Sequence, residues 1–86
     1  MSLLESVSEK VHVIYDPNDG RIIHAHLTTT FKGGREPTDG EIAASGRRAA
    51  ERNGVKLQAV SSLNVSRKQW ESRTSNKVDL VMKSLV

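Results

Sequence analysis

The feature that most constrains this fold is a turn signal between two runs of strand-forming residues. Positions 10–15 and 21–31 are rich in β-branched and aromatic residues, and Asp-Pro-Asn-Asp-Gly separates them at positions 16–20. Pro17 presets the backbone of a type I turn, and Gly20 can adopt the left-handed conformation that closes such a loop. The pattern predicts an antiparallel β-hairpin built from these two segments.

A capping signal and an apolar stripe follow the hairpin. Thr38 and Glu41 have the spacing of a capping box, in which each side chain satisfies a free backbone N–H group of the other residue. Asn53 and Gly54 are typical of a helix that ends in a left-handed residue. We therefore predict a helix over residues 38–53. Its buried stripe consists mostly of Ala and Gly, which lets a helix lie close to a sheet.

The remaining residues predict two further strands. Apolar residues alternate over 56–65 and again over 77–86, and the irregular segment 66–76 contains Trp70, which we expect to anchor it at the edge of the core. The predicted fold class is α+β, in the order β-β-α-β-β, with a mostly antiparallel sheet and one helix packed on one face. Residues 1–9 are predicted to be a flexible N-terminus, and residues 10–86 a single domain.

The small size of the chain makes assembly the leading functional hypothesis. An 86-residue chain without cysteine has a thin core and no disulfide staple, and such domains often gain stability by forming oligomers. The last two predicted strands carry apolar residues at both alternating positions, which leaves a second apolar sheet face without cover. An edge strand can also pair with its symmetry mate. We therefore expect a protein-interaction module that binds itself as a homo-oligomer.

Several classes of function find no support in the sequence. There is no cysteine nucleophile, no Gly-x-Ser-x-Gly turn and no phosphate-binding P-loop, so we expect neither enzymatic activity nor a cofactor. The first nine residues lack the basic opening and apolar run of a secretory signal. No stretch approaches the roughly 20 apolar residues that cross a bilayer. From these features we expect a cytoplasmic protein without a membrane partner.

The histidines of the hairpin are the sharpest chemical feature. His24 and His26 are two residues apart on the second strand, so both side chains point to the same face. If the numbers of paired residues sum to an even value, His12 shares that face. If the sum is odd, as a four-residue loop over 17–20 gives, His12 lies on the opposite face.

A shared face would make these three histidines candidate ligands of a metal ion or members of a pH-sensitive cluster. The second strand contains no carboxylate that could complete a metal site or orient its ligands. We therefore favour the interpretation of His12, His24 and His26 as polar residues on a half-exposed strand face.

The charge of the chain is unevenly distributed. Residues 1–43 contain 4 Lys or Arg and 7 Asp or Glu, whereas residues 44–86 contain 9 and 3. Because spaced cations can neutralise phosphates, the alternative hypothesis is a nucleic-acid-binding accessory protein. No strand carries the interleaved aromatic residues that stack on bases, so charge is its only support. The candidate contacts are Arg47, Arg48, Arg52, Arg67, Lys68, Arg73 and Lys77.

Overall fold

The computed structural model describes residues 6–86, and of Ser6 and Val7 it describes the backbone alone. The helices and strands, in chain order, are β1 (Ser6–Tyr15), β2 (Ile22–Phe31), α1 (Asp39–Arg52), β3 (Ser61–Ser66), α2 (Arg67–Ser72), β4 (Val78–Asp79) and β5 (Ser84–Leu85). The first three strands form an antiparallel sheet in the order β2-β1-β3, and β4 pairs with β5. The predicted α+β class, with a mostly antiparallel sheet and one main helix, is confirmed.

The hairpin forms around the predicted turn. Asp16 N–H donates to the carbonyl of Arg21, and Gly20 N–H donates to the carbonyl of Asp16, both at 2.8 Å. Gly20 has a φ of 80°, the left-handed conformation that favours glycine. β1 begins at Ser6, so residues 6–9 belong to a strand and not to the flexible terminus that the sequence predicts. Residues 1–5 of that predicted terminus lie outside the described residues.

Helix α1 has the predicted ends. The capping box between Thr38 and Glu41 is present, and Gly54 adopts the left-handed conformation at a φ of 83°. The buried side of α1 consists of Ile42, Gly46 and Ala50. Gly46 lies directly against the ring of His12 in β1, so the small residues bring the helix axis close to the sheet.

The central strand β1 is buried on both faces, because the five consecutive residues from Val11 to Tyr15 are all buried. Val11, Val13 and Tyr15 form one core cluster with Val65 of β3 and Val78 of β4. His12 and Ile14 point to the other face, under α1. We call these the hairpin face and the helix face of the sheet, after the β4–β5 hairpin and α1 that cover them.

The hairpin face is the main correction to the expected architecture. The sequence predicts a sheet with one covered face and one open apolar face. Instead, Trp70 of α2, Val78 and Leu85 pack against the cluster that Val11 and Val13 form on this second face. A fully open face is therefore not present among residues 6–86, and the large apolar side chains of this sheet that remain exposed lie on its outer strand β2.

Three segments differ from their predicted form. Residues 66–76 are not irregular throughout, because Ser66 and Gln69 form a second capping box that starts α2. Residues Leu57–Ala59 form a 3₁₀ turn, so β3 begins at Ser61. The predicted strand over 77–86 is a small hairpin, because the Asp79 carboxylate accepts hydrogen bonds from the N–H groups of Val81 and Met82 and so closes a turn. No helix within residues 6–86 is long and apolar enough to cross a membrane.

The close approach of α1 can be tested with two glycine substitutions in the same helix. A Cβ added at Gly46 would lie 2.5 Å from Cδ2 of His12, so we expect Gly46→Ala to lower the free energy of unfolding by about 1–3 kcal/mol. At Gly40 the nearest atom to an added Cβ is 3.9 Å away, so Gly40→Ala should raise stability by about 0.5–1 kcal/mol. Urea unfolding of both variants checks this, and equal effects would show that α1 does not rest on His12.

Candidate assembly surface

The outer edge of β2 is the longest strand edge that the described chain leaves unpaired. At its first residue the edge is occupied, because Ile22 N–H donates to the carbonyl of Asn76 at 2.9 Å. Beyond that point, no strand within residues 6–86 pairs with the outer side of β2. The ten residues of β2 contain no Lys, Arg, Asp, Glu or Pro. Natural edge strands usually carry such residues, because they prevent pairing with another chain.

Three large apolar side chains of β2 are exposed. The exposed fractions are 40% for Ile23, 45% for Leu27 and 43% for Phe31. These residues are spaced four apart, so alternation along the strand places all three on the hairpin face. We call them the edge strip. Exposed apolar residues that are grouped in this way mark an interaction surface more often than isolated ones do.

A groove continues from the edge strip toward α2. It has a volume of about 390 Å³, and its walls are formed by Val11, Ala25, Leu27, Arg67, Trp70 and Glu71. At the Trp70 side of the groove, the Arg73 guanidinium stacks over the Trp70 ring at 3.6 Å from the centroid and donates to the Trp70 carbonyl. Arg67 is held by Glu71 and Glu9. The exposed apolar surface of β2 therefore merges with a preformed apolar groove.

The hairpin register places the three histidines on one face. Near the turn, Tyr15 pairs with Ile22. The sum of these two residue numbers is odd, as expected for a four-residue loop. A bulge at Ile23 then adds one residue to β2, so that Ile14 pairs with His24. From this pair onward, the sum of the paired residue numbers is even. His12 consequently pairs with His26, and all three imidazoles lie on the helix face.

His12 is the buried member of this group and is only 2% exposed. Its Nδ1 donates to Oδ1 of Asn64 at 2.6 Å, and the Asn64 amide donates to the carbonyl of Asp39 at 3.1 Å. This chain of hydrogen bonds connects β1, β3 and the first residue of α1. The Nε2 atom of His12 is buried and has no hydrogen-bond partner within residues 6–86.

Burial lowers the pKa of His12, because the charged imidazolium loses its hydration. The hydrogen bond that His12 donates to Asn64 opposes this effect, and the nearby charge of Arg47 adds to it, as His26 and His24 do when charged. Protonation would also create an N–H group at Nε2 without an acceptor. The cluster therefore favours a neutral His12.

The described residues contain no group of three or more His, Cys, Asp or Glu side chains close enough to hold a metal ion. The Nε2 atom of His24 is also buried and has no hydrogen-bond partner among residues 6–86. The three histidines thus share a face, but the expectation of a half-exposed face is wrong for His12, which α1 buries, whereas His24 and His26 are partly exposed.

The candidate nucleic-acid contacts are divided between two sides of the molecule. Arg47, Arg48 and Arg52 lie on α1, which covers the helix face. Arg67, Lys68 and Arg73 lie on or next to α2, which packs on the hairpin face, and Lys77 lies beside Arg21 just before β4. In the second group, Arg67 forms ion pairs and Arg73 stacks on Trp70. The two groups do not form one continuous basic surface, and nucleic-acid binding stays a prediction from charge.

The loop before α1 carries another cation that is already engaged. Arg35 donates two hydrogen bonds to the carboxylate of Glu41, at 3.0 and 2.7 Å. These bonds, together with the backbone N–H of Thr38, lower the pKa of Glu41 to about 2. Arg35 therefore supports the capping box of α1 by holding the Glu41 carboxylate.

Comparison with known proteins returns no match: the chain fits no protein-family model, and neither a curated protein nor a solved structure is similar to it. The residues and their geometry are therefore the basis for a functional assignment.

The lowered pKa of His12 predicts how stability depends on pH. Between the folded-state pKa and the unfolded value of about 6.5, the unfolded chain binds the proton and the folded chain does not. The free energy of unfolding should thus be constant above neutral pH and fall as the pH drops below about 6.5, by at most about 1.4 kcal/mol per pH unit for one proton.

Urea unfolding between pH 7.5 and pH 5.5 measures this dependence. The window lies above the range in which Asp and Glu side chains titrate, at about pH 4. His12→Gln retains a donor for Asn64 and cannot titrate, so this variant should show a flatter profile. An unchanged slope in His12→Gln would assign the pH dependence to other groups.

Proposed function

We propose that this protein is a small assembly module that forms a homodimer by antiparallel pairing of its β2 edges. The observation that carries this proposal is the combination of an unpaired edge without charged residues and an edge strip of three exposed apolar side chains on it. Main-chain hydrogen bonds would join the two β2 strands, and burial of the edge strip would provide the free energy that drives dimerisation.

The free part of the edge specifies one register for this pairing. The Ile22 N–H is bonded to Asn76, so the edge is available from Ile23 to the last strand residue, Phe31. In a two-fold antiparallel pair, one residue must lie opposite its own copy. The midpoint of the available edge is Leu27. A dimer centred on Leu27 therefore uses the whole free edge and ends where β2 ends.

The same register makes the edge strip complementary to itself. Leu27 lies opposite Leu27 of the second copy, and Ile23 lies opposite Phe31, so each exposed apolar side chain meets another across the interface. On the helix face, the same register places His24 opposite Thr30 and His26 opposite Thr28. No pair of like charges is created when the imidazoles are neutral. The two three-stranded sheets would become one sheet of six strands.

The sequence predicts assembly through an open second sheet face, and the proposed dimer uses the β2 edge instead. α2 and the β4–β5 hairpin cover most of the hairpin face within one copy, so stacking of two open faces has no geometric support. The edge strip lies outside this cover, at the border of the sheet. What supports assembly is therefore strand pairing at an edge and not face-to-face packing.

The proposal is tested by sedimentation equilibrium at tens of micromolar protein. We expect the wild-type chain to be dimeric and Leu27→Lys to be monomeric. The substitution removes two buried leucines, at about 1.5 kcal/mol each, and should weaken the dimer by about 100-fold or more. It also places two cations opposite each other at the two-fold axis.

Met82→Lys is the matched control, because it makes the same change at a more exposed apolar residue far from the edge strip in sequence. This variant should remain dimeric. Circular dichroism should show the same fold in all three proteins. A monomeric wild-type chain, or equal weakening by both substitutions, would rule out pairing through β2.

A further inference from the structure

The turn between β4 and β5 displays two consecutive apolar side chains to solvent. Val81 is 89% exposed and Met82 is 72% exposed, the two largest values among the large hydrophobic residues of the described chain. Leu80, just before them, is also exposed. We call residues 80–83 the apolar tip. The apolar tip is a different surface from the edge strip, which lies on β2.

The apolar tip is held in a defined conformation. The Asp79 carboxylate accepts hydrogen bonds from the N–H groups of Val81 and Met82, each at 2.9 Å. The Lys83 N–H donates to the carbonyl of Asp79 at 2.8 Å. The base of the turn is anchored in the core by Val78 and Leu85. The two apolar side chains therefore project from a closed turn that is fixed to the sheet.

Lys83 directly follows the two exposed apolar residues, and two further cations lie along the β4–β5 hairpin. Lys83 lies in the turn itself, and Lys77 directly precedes β4. Arg73 and Lys83 line the same cavity of about 350 Å³ beside β5. The nearest acidic residue in the sequence is Asp79, whose carboxylate faces inward to the backbone of the turn. Val81 and Met82 thus lie beside one basic residue of the turn, Lys83, whereas Lys77 lies at the opposite end of the hairpin, beside Val86.

Lys83 occupies a position that favours glycine. Its φ is 55°, and it is the only non-glycine residue among residues 6–86 with a positive φ. A lysine in this conformation is less stable than glycine would be, so the turn retains a cation at a cost in backbone strain.

We infer that the apolar tip inserts into the surface of an anionic lipid bilayer, with Val81 and Met82 below the headgroups and the Lys83 ammonium against them. Apolar side chains at a tip bury their surface among the acyl chains, and each nearby Lys or Arg adds attraction to an anionic surface. The sequence predicts no membrane partner because no segment can span a bilayer. Insertion of a turn requires no spanning segment.

The inference can be tested by co-sedimentation with vesicles. All proteins carry Leu27→Ser, so that any effect of edge pairing is the same in every sample. We expect binding to vesicles of phosphatidylcholine with phosphatidylserine, much weaker binding to phosphatidylcholine alone, and a loss of binding as the salt concentration rises. The double variant Val81→Ser, Met82→Ser should bind the anionic vesicles at least tenfold more weakly.

The variant Lys83→Gly distinguishes an effect of the Lys83 charge on vesicle binding from an effect on folding. This variant relieves the left-handed strain, so it should be at least as stable as its parent, yet it should bind anionic vesicles several-fold more weakly. Absence of binding to anionic vesicles, or equal binding of the parent and the double variant, would overturn the inference. If the double variant in the otherwise wild-type chain changes the sedimentation coefficient instead, the apolar tip is a contact between copies and not a lipid contact.

Discussion

The burial of β1 on both faces is the constraint on which the rest of the structure depends. Five consecutive residues, from Val11 to Tyr15, are buried, so both faces of a three-stranded sheet must be covered by a short chain. α1 covers the helix face, and α2 with the β4–β5 hairpin covers the hairpin face. This arrangement leaves the outer edge of β2 beyond Ile22 without a paired strand among the described residues.

On the helix face, α1 packs closely against the sheet over a buried polar side chain, that of His12. Because Gly46 has no side chain, α1 can lie against His12, and the hydrogen bond between His12 and Asn64 then ties β1 to β3 beneath the helix. Burial lowers the pKa of His12, so the neutral imidazole is favoured there. One small residue in the helix thus lets α1 approach the sheet, and the histidine beneath it is the basis of the predicted response of the fold to acid.

Local signals predicted the parts of the fold that local interactions determine. The turn at residues 16–20 and the capping box at Thr38 and Glu41 act within a few residues, and both are present as predicted. Ser66 and Gln69 have the same capping spacing and could have revealed α2, but the segment lacks a periodic apolar stripe. A sequence interpretation that lacks α2 predicts an open hairpin face.

The candidate sites depended on features that the sequence does not display. The bulge at Ile23 changes the parity of strand pairing, and this change decides the face that His12 occupies. The exposure of Leu27 follows from the strand order, which places β2 at the outside and β1 in the centre. Strand order and bulges arise from contacts between distant residues, so alternation along one strand cannot reveal them.

The most direct test of edge pairing is disulfide formation by a single cysteine at Leu27. The chain contains no cysteine, so Leu27→Cys provides one defined thiol. Directly opposite residues of an antiparallel pair are close enough to cross-link, and only a dimer centred on Leu27 places this residue opposite its own copy. Under mild oxidation, Leu27→Cys should form a covalent dimer much faster than Val81→Cys, although Val81 is more exposed. Equal rates, or no dimer from Leu27→Cys, would contradict pairing through β2.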